Sequence, residues 1–203
     1  LAYGRQRCRP VLVASEMRLQ RPQRFSGKLP APKEPFQDVA LLAFPAPHDD
    51  ADSLASRAPR VTCTPAVADA VNLVDGDERT SIQFPDGAGR GQNPFTVEIA
   101  LAESITARSL AIVPTGEPFG AQCELQAGTA DGGYRTVRHF KCDRSNVSLG
   151  VGFMPRGPVT ISLPAVTAKT FRLVFTGGFG GGRSALAEIH LSGAARLEAR
   201  DHA

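Results

Sequence analysis

Tryptophan is absent from this 203-residue sequence, and tyrosine occurs only twice. Because sugar-binding surfaces commonly present flat aromatic side chains, this shortage argues against a strong sugar-binding surface. No run of about 18 apolar residues occurs, so the sequence predicts no membrane-spanning helix. The four cysteines form no Cys-x-x-Cys pair, and no histidine stands at zinc-ligand spacing beside them. The common zinc motifs are therefore excluded.

The net charge is small, and the common catalytic motifs are missing from the sequence. The formal net charge is +3 with the arginines scattered, which does not indicate a nucleic-acid partner. No Gly-x-Ser-x-Gly or His-Glu-x-x-His motif is present. His139 and His190 fall on the polar phase of predicted strands, so we interpret them as surface residues. The sequence therefore assigns no catalytic residue to this chain.

Alternation of apolar and polar residues dominates the chain after residue 60. It is clear at 95–101, 122–127, 171–175 and 187–191, and more continuous apolar runs lie at 109–113 and 159–163. Apolar residues at every second position, with polar residues between them, are typical of half-buried antiparallel strands. Turn residues at 130–133 predict a tight hairpin between two of them. The fold class predicted is all-β, an antiparallel β-sandwich of the jelly-roll type.

Two residues of these strands allow specific predictions. Cys123 lies on the apolar phase of its strand and is expected to be a small buried hydrophobe. A disulfide between Cys123 and Cys142 is left open, because spacing alone does not determine it. Tyr134 follows the 130–133 hairpin and is expected to pack against it.

The first 60 residues differ in composition. Two apolar runs, at 11–14 and 39–44, flank a polar, proline-rich stretch, and an acidic linker follows at 49–53. The second run does not alternate, which is typical of a strand buried on both faces in an α/β layer or barrel. We predict three regions: a segment at 1–60, a sandwich at 61–198 and a tail at 199–203. The absence of an initiator Met leads us to expect a fragment or a processed piece of a longer protein.

The glycine-rich stretch at 177–184 is one residue away from a phosphate-binding loop. The expected lysine is replaced by Arg183, whose guanidinium does not substitute simply for a compact ammonium group. A phosphate-binding loop must also open a helix, whereas residues 185–192 alternate like a strand. The stretch is therefore predicted to be a hairpin loop.

The acidic stretch at 72–80 permits two interpretations. Asp75, Asp77 and Thr80 would place hard oxygen ligands, of the kind that Ca²⁺ prefers, around the turn at Gly76. The spacing is not that of an EF-hand loop. An ordinary Asx-type turn at the edge of the sandwich is the alternative.

Residues 11–16, 25–32 and 38–47 resemble a stretch of the family 106 glycoside hydrolases, the α-L-rhamnosidase type, although Ala14 stands where that family has Trp. The resemblance implies that residues 1–60 derive from a catalytic (β/α)₈ barrel and that the parent enzyme hydrolyses rhamnosides. Its partner would be the rest of that barrel, and a periplasmic or extracellular location is favoured. No catalytic acid of the family matches a residue here, so the chain alone is expected to be inactive.

Residues 73–80, 128–134, 171–175 and 187–191 resemble discoidin-like, galactose-binding-like jelly rolls, which are inserted in rhamnosidases of this type. The resemblance implies a structural Ca²⁺ held by Asp77, Thr80 and Glu188, with Asp75 a weaker candidate. The main functional hypothesis is a non-catalytic accessory module of a glycoside hydrolase. An independent module that binds carbohydrate or a cell-surface partner is the alternative, and a purely structural interaction domain is the third.

Overall fold

The computed structural model describes residues 17, 26–29, 53–54, 57–144, 157–178, 184–196 and 198. The chain divides into two compact units, Leu1–Pro45 and Ala46–Ala203. The predicted barrel-derived runs at 11–14 and 39–44, most of the acidic linker and the tail at 199–203 lie outside the described residues. The predicted domain boundaries stay a prediction. Within the described part, no helix is long and apolar enough to span a membrane.

Seven antiparallel strands form the second unit within its described residues. They are β1 (Arg60–Thr64), β2 (Ile82–Gln83), β3 (Phe95–Pro114), β4 (Phe119–Gly128), β5 (Tyr134–Arg144), β6 (Val159–Thr176) and β7 (Ala185–Ser192). A short 3₁₀ helix, Ala70–Leu73, lies between β1 and β2. The predicted all-β antiparallel sandwich is confirmed.

Two long strands, β3 and β6, belong to both layers of the sandwich. The first half of β3 pairs with β1 and with the end of β6, which pairs in turn with β4 and then β5. We call this layer the front sheet. The second half of β3 pairs with the start of β6 and with β7, beside which β2 lies, and these strands form the back sheet. Register shifts in the β3–β6 pairing between Ala100 and Ile105 mark the bend where both strands change layer.

The predicted inward phases are confirmed for the front sheet. Phe95, Val97 and Ile99 are fully buried, and so are Leu125 on β4 and Leu173 on β6. Each stands on the same phase as its cross-strand partner, so the apolar side chains of three strands meet on one face. This burial supplies the main driving force for the fold.

The sequence-based prediction split each of the two long strands, β3 and β6, into two shorter strands. Residues 95–101 and 109–113 were predicted as two strands, yet they are one continuous strand of 20 residues. The same is true of 159–163 and 171–175 in β6. Exposed residues and bulges in the middle of each strand interrupt the alternation where the chain bends, which is why the pattern appeared to stop.

β7 also departs from the half-buried pattern. Ala187, Ile189 and Leu191 are buried as predicted, but Leu186 and Glu188 on the opposite phase are buried as well. The outward side of β7 is covered at this point by the turn that follows the 3₁₀ helix, whose Gly76 N–H contacts the Glu188 carboxylate. Glu188 is therefore a buried carboxylate, which the sequence pattern did not indicate.

The predicted hairpin at 130–133 is confirmed, whereas the glycine-rich stretch is not a hairpin loop, because β6 and β7 do not pair with each other and β3 lies between them. β4 and β5 are joined by a tight hairpin in which Gly132 has φ +82° and its N–H donates to the Thr129 carbonyl. The glycine-rich stretch leads from β6 directly into β7 rather than into a helix. Its residues 179–183 lie outside the described part. A strand in this position cannot present a helix N-terminus to a phosphate.

Three described cysteines, Cys63, Cys123 and Cys142, carry free thiols, while Cys8 lies outside the described residues. Cys123 and Cys142 are buried on neighbouring strands, and no disulfide joins them. Burial raises the pKa of Cys142 to about 12 and raises that of Cys123 further. The expectation that Cys123 acts as a small buried hydrophobe is confirmed.

Candidate functional site

The acidic turn that follows the 3₁₀ helix is organised around Asp75. Its carboxylate accepts hydrogen bonds from the Asp77 N–H at 2.8 Å and from the Thr80 hydroxyl at 2.9 Å. Gly76 occupies the left-handed region at φ +80°, which a residue with a Cβ adopts only under strain. The turn is thus closed by its own side chains, as an Asx-type turn would be.

Glu188 on β7 approaches this turn from the back sheet. One carboxylate oxygen, Oε1, accepts the Gly76 N–H at 3.2 Å, while the other, Oε2, is buried without a hydrogen-bond partner. The side chain is only 2 % exposed. Burial, with Asp75 and Glu78 nearby, raises the pKa of Glu188 to about 7. The fold therefore brings together Asp75, Thr80 and Glu188, three of the four predicted metal ligands.

Asp77, the fourth candidate, directs its carboxylate elsewhere. Both of its oxygens pair with the Arg79 guanidinium at 2.8 Å, and this contact lowers the pKa of Asp77. Only its backbone carbonyl faces the turn, where it accepts the Thr80 hydroxyl at 2.9 Å. In the described part of the chain, no three His, Cys, Asp or Glu side chains are arranged so that they could hold a metal ion.

A second polar feature is the outer face of the front sheet. Its outward side chains are Glu98 on β3, Gln122, Glu124 and Gln126 on β4, Tyr134, Thr136, His139 and Lys141 on β5, and Arg172, Val174 and Thr176 on β6. They form rows across the strands, because Gln122 stands opposite Lys141 and Thr176, while Gln126 stands opposite Thr136 and Arg172. Almost all of them are hydrogen-bonding side chains.

In one half of this face, the Glu124 carboxylate accepts hydrogen bonds from two neighbouring side chains. Its Oε1 accepts hydrogen bonds from the Gln126 amide at 3.0 Å and from the Thr136 hydroxyl. These donors, together with the positive charge that His139 carries when protonated, lower the pKa of Glu124. The carboxylate is consequently held charged and in a fixed orientation on the open face of the sheet.

In the other half of this face, Tyr134 and Arg172 contact each other. The Arg172 guanidinium lies over the Tyr134 ring, 3.6 Å from its centroid, and its Nη2 donates to Glu98 Oε2 at 2.9 Å. Burial and the neighbouring Glu98 carboxylate raise the pKa of Tyr134. A Cβ on Gly128 would overlap the Thr170 side chain, so this β4 position accommodates only glycine without rearrangement. Tyr134 thus packs against β6 as well as following the hairpin turn.

A shallow cleft of about 170 Å³ opens on the same face. Its lining residues are Gln122, Cys123, Glu124, His139, Val174 and Thr176. The walls carry an amide, a carboxylate, an imidazole and a hydroxyl, while Val174 supplies apolar surface. The cleft therefore offers several hydrogen-bonding groups and a small apolar area on the open face of the sheet.

Two polar atoms between the cleft and Tyr134 lack hydrogen-bond partners. They are Gln126 Oε1 and Arg172 Nε, and both are buried among their neighbours. Their residues are directly opposite each other on β4 and β6. An unsatisfied acceptor beside an unsatisfied donor costs free energy, because buried polar groups in folded proteins are almost always paired.

The outer face of the back sheet is covered, in contrast. Ser109 and Ala111 point away from the core on the phase opposite to Leu110, yet Ser109 is 1 % exposed and Ala111 8 %. Ser109 Oγ donates to the Ala194 carbonyl at 2.7 Å, which shows that the segment after β7 folds across this face. Among the described residues, the front sheet therefore presents the accessible polar face.

The histidines behave differently from one another. His139 is exposed, as predicted, and lines the cleft. His190 is only partly exposed, and burial lowers its pKa, so the expectation of a surface histidine is wrong for this residue. Sequence reasoning missed the cleft because its lining residues come from three strands that are far apart in the chain. The polar phase of 122–127 was the only available signal.

No family model and no curated protein matches the chain. The solved structures that match include family 32 carbohydrate-binding modules. One from Clostridium perfringens, in complex with GalNAc-β-1,3-galactose, has a TM-score of 0.55 at 18 % identity over 70 % of this chain and 99 % of that chain. The Clostridium perfringens NanJ module, in complex with galactose, has a TM-score of 0.52 at 18 % identity, covering 66 % and 92 % of the two chains.

A pectin-binding carbohydrate-binding module is also similar, with a TM-score of 0.52 and 19 % identity over 70 % of this chain and 94 % of that chain. At such identities the likeness establishes the fold. The expected galactose-binding-like β-sandwich is thereby confirmed, and it accounts for nearly the whole length of each of these modules.

Proposed function

We propose that this chain is a non-catalytic, carbohydrate-binding β-sandwich module of a larger protein. The observation that carries the proposal is the front-sheet face, where hydrogen-bonding side chains line an accessible cleft on a fold that glycan-binding modules share. Sugars present hydroxyls that both donate and accept, so a face with both kinds of group suits them. The paucity of aromatic residues is offset by the concentration of polar groups there.

For the larger protein we propose a secreted or periplasmic glycoside hydrolase of the α-L-rhamnosidase type. This part of the proposal rests on the resemblance of residues 11–47 alone, and no family model supports it. One of the matching structures also contains a catalytic domain. It comprises a family 32 module and an alginate lyase domain, and this chain covers 32 % of its length. Sequencing the DNA downstream is the test, because the proposal requires it to encode the remainder of a (β/α)₈ barrel.

The first prediction concerns binding without turnover. In affinity gel electrophoresis, the purified chain should be retarded by at least one plant or microbial polysaccharide, and it should release no aglycone from an aryl α-L-rhamnoside. Glycoside hydrolysis requires two positioned carboxyl groups, and no candidate pair was identified in the sequence. Turnover that disappears when a residue of this chain is replaced would contradict the non-catalytic assignment, and retardation by no polysaccharide would contradict the binding function.

We also propose a structural Ca²⁺ at the acidic turn, held by Asp75, Thr80 and Glu188 with oxygen from Asp77. The fit is supported by the buried, unpartnered Oε2 of Glu188 and by the elevated pKa of that carboxyl. A divalent cation there would supply the positive charge that two neighbouring carboxylates need to remain ionised together. Because Glu188 belongs to the back sheet, the site would connect the turn to β7.

The second prediction is a calcium-dependent unfolding temperature. At a Ca²⁺ concentration about 100 times the Kd, the chain should gain about 2.7 kcal/mol of stability over the chelated form. Asp75→Asn and Glu188→Gln should abolish the shift measured by differential scanning calorimetry. Asp86→Asn, at an exposed carboxylate in the loop after β2, is the matched control and should keep it. If the unfolding midpoint of the native chain does not change when Ca²⁺ is added, residues 75–80 form an ordinary turn and the calcium proposal is wrong.

A further inference from the structure

The polar groups on the front-sheet face lie in a continuous line along β4. At one end is the cleft beside Gln122 and Glu124, in the middle are the unpartnered Gln126 Oε1 and Arg172 Nε, and at the other end is the Tyr134 ring. We define this line, which follows β4 from Gln122 to Gly128, as the β4 strip. A strand rises about 3.3 Å per residue, so the strip is roughly 20 Å long.

We propose that the β4 strip binds the interior of an uncharged oligosaccharide chain laid along the strand, an inference that rests on the carbohydrate-binding function proposed above. A site of this length exceeds a single pyranose ring, which the cleft alone would hold. The ligand would therefore contact the strip through several consecutive sugar units rather than through one terminal sugar.

Hydrogen-bond complementarity supports a hydroxyl-bearing ligand. Gln126 Oε1 is an acceptor without a donor, and Arg172 Nε is a donor without an acceptor, on directly opposite residues. Both atoms are almost without accessible surface, so a sugar hydroxyl, which donates and accepts at once, would pair with them only when the Gln126 and Arg172 side chains move on binding.

The charge balance of the strip favours an uncharged ligand. Arg172 is paired with Glu98 at 2.9 Å, and Lys141 is paired with Asp143 at 2.9 Å. Glu124 is held by two hydrogen-bond donors beside His139. No large field of one sign remains to attract a polyuronate or a polymer of free amino sugars, whose charges would lack partners on this face.

The geometry of the sandwich also favours the front sheet, rather than the back sheet, as the binding face. The outer face of the back sheet is occupied by the segment around Ala194, whereas the front sheet carries Gln122 and His139 exposed. Gly128 also keeps β4 free of a side chain beside Thr170. An extended chain could therefore lie along β4 without meeting a protruding residue at that position.

Isothermal titration calorimetry of the full chain tests the inference, with galactan and xylan as uncharged probes, polygalacturonate as an acidic probe and chitosan as a basic probe. We expect an uncharged polymer to bind best and its oligosaccharides to gain affinity with length. Gln122→Ala, Gln126→Ala and His139→Ala should each weaken binding about tenfold, as expected for one or two lost hydrogen bonds. Thr160→Ala, on the back sheet, is the control and should bind like the native chain, with thermal midpoints confirming that all variants fold.

The outcomes separate the two proposals. If no polysaccharide binds, the carbohydrate-binding function itself is wrong. If a polysaccharide binds but all three strip variants bind as tightly as the native chain, the function stands and the β4 strip is wrong. Binding confined to the charged polymers, or a free monosaccharide that competes as well as its oligosaccharide, would likewise overturn the strip as a site for an uncharged chain.

Discussion

Replacement of Leu173 by alanine is expected to lower the free energy of unfolding by about 2–5 kcal/mol. Leu173 is fully buried in the middle of β6. It stands opposite Val97 on β3 and opposite Leu125 on β4, and both of those side chains are also fully buried. The lost side-chain carbons would leave a space that these neighbours, fixed by strand pairing on both sides, cannot fill.

Chemical denaturation monitored by circular dichroism measures this effect. Lys169→Ala, four residues earlier on the same strand and exposed, is the matched control and should change the stability by less than about 0.5 kcal/mol. A change below that value for Leu173→Ala would mean that the side chain does not face the core, and the assigned phase of β6 would then be wrong.

Phe175→Ala is expected to destabilise the sandwich by about 3–5 kcal/mol. The Phe175 ring has its centroid 5.4 Å from that of Phe84 and 6.1 Å from that of Phe119, both in edge-on orientations. Phe95 lies 6.2 Å away. Because these four rings come from β3, β4, β6 and the segment after β2, the cluster joins parts of the chain that are distant in sequence.

Phe175→Leu separates packing volume from the aromatic geometry. It keeps an apolar side chain, so we expect it to be clearly less destabilising than Phe175→Ala in the same denaturation experiment. A double-mutant cycle with Phe84→Leu should return a coupling of about 0.5–1.5 kcal/mol. Equal effects of the Leu and Ala variants would contradict a closely packed ring cluster at this end of the core.

Part of the candidate site could be anticipated from the sequence. The oxygen-rich turn at Asp75, Thr80 and Gly76 is local, so the residue types and their spacing indicated it directly. The contribution of Glu188 came from the family resemblance, and the structure places its carboxylate at the Gly76 N–H. The orientation of Asp77 could not be read from spacing, because it depends on whether Arg79 competes for the carboxylate.

The front-sheet face could not be anticipated. Each strand showed only that one of its two faces is polar, which places Gln126 and Arg172 on outward phases without saying that they meet. That meeting depends on the register between β4 and β6, strands separated by more than 40 residues. The covering of the back sheet by the segment around Ala194 and by the turn at Gly76 is another long-range event, and the turn explains why Glu188 on β7 is buried.

The sequence by itself determined the all-β architecture, the inward residues of the front sheet and the hairpin at 130–133. Strand periodicity and turn chemistry are local properties, so a single chain segment carries them. Only the tertiary structure decided that two strands run through both layers, that Glu188 is buried and that the polar residues of β4, β5 and β6 form one strip. These features depend on pairing between distant segments, where register and burial are set by the whole core rather than by any one strand.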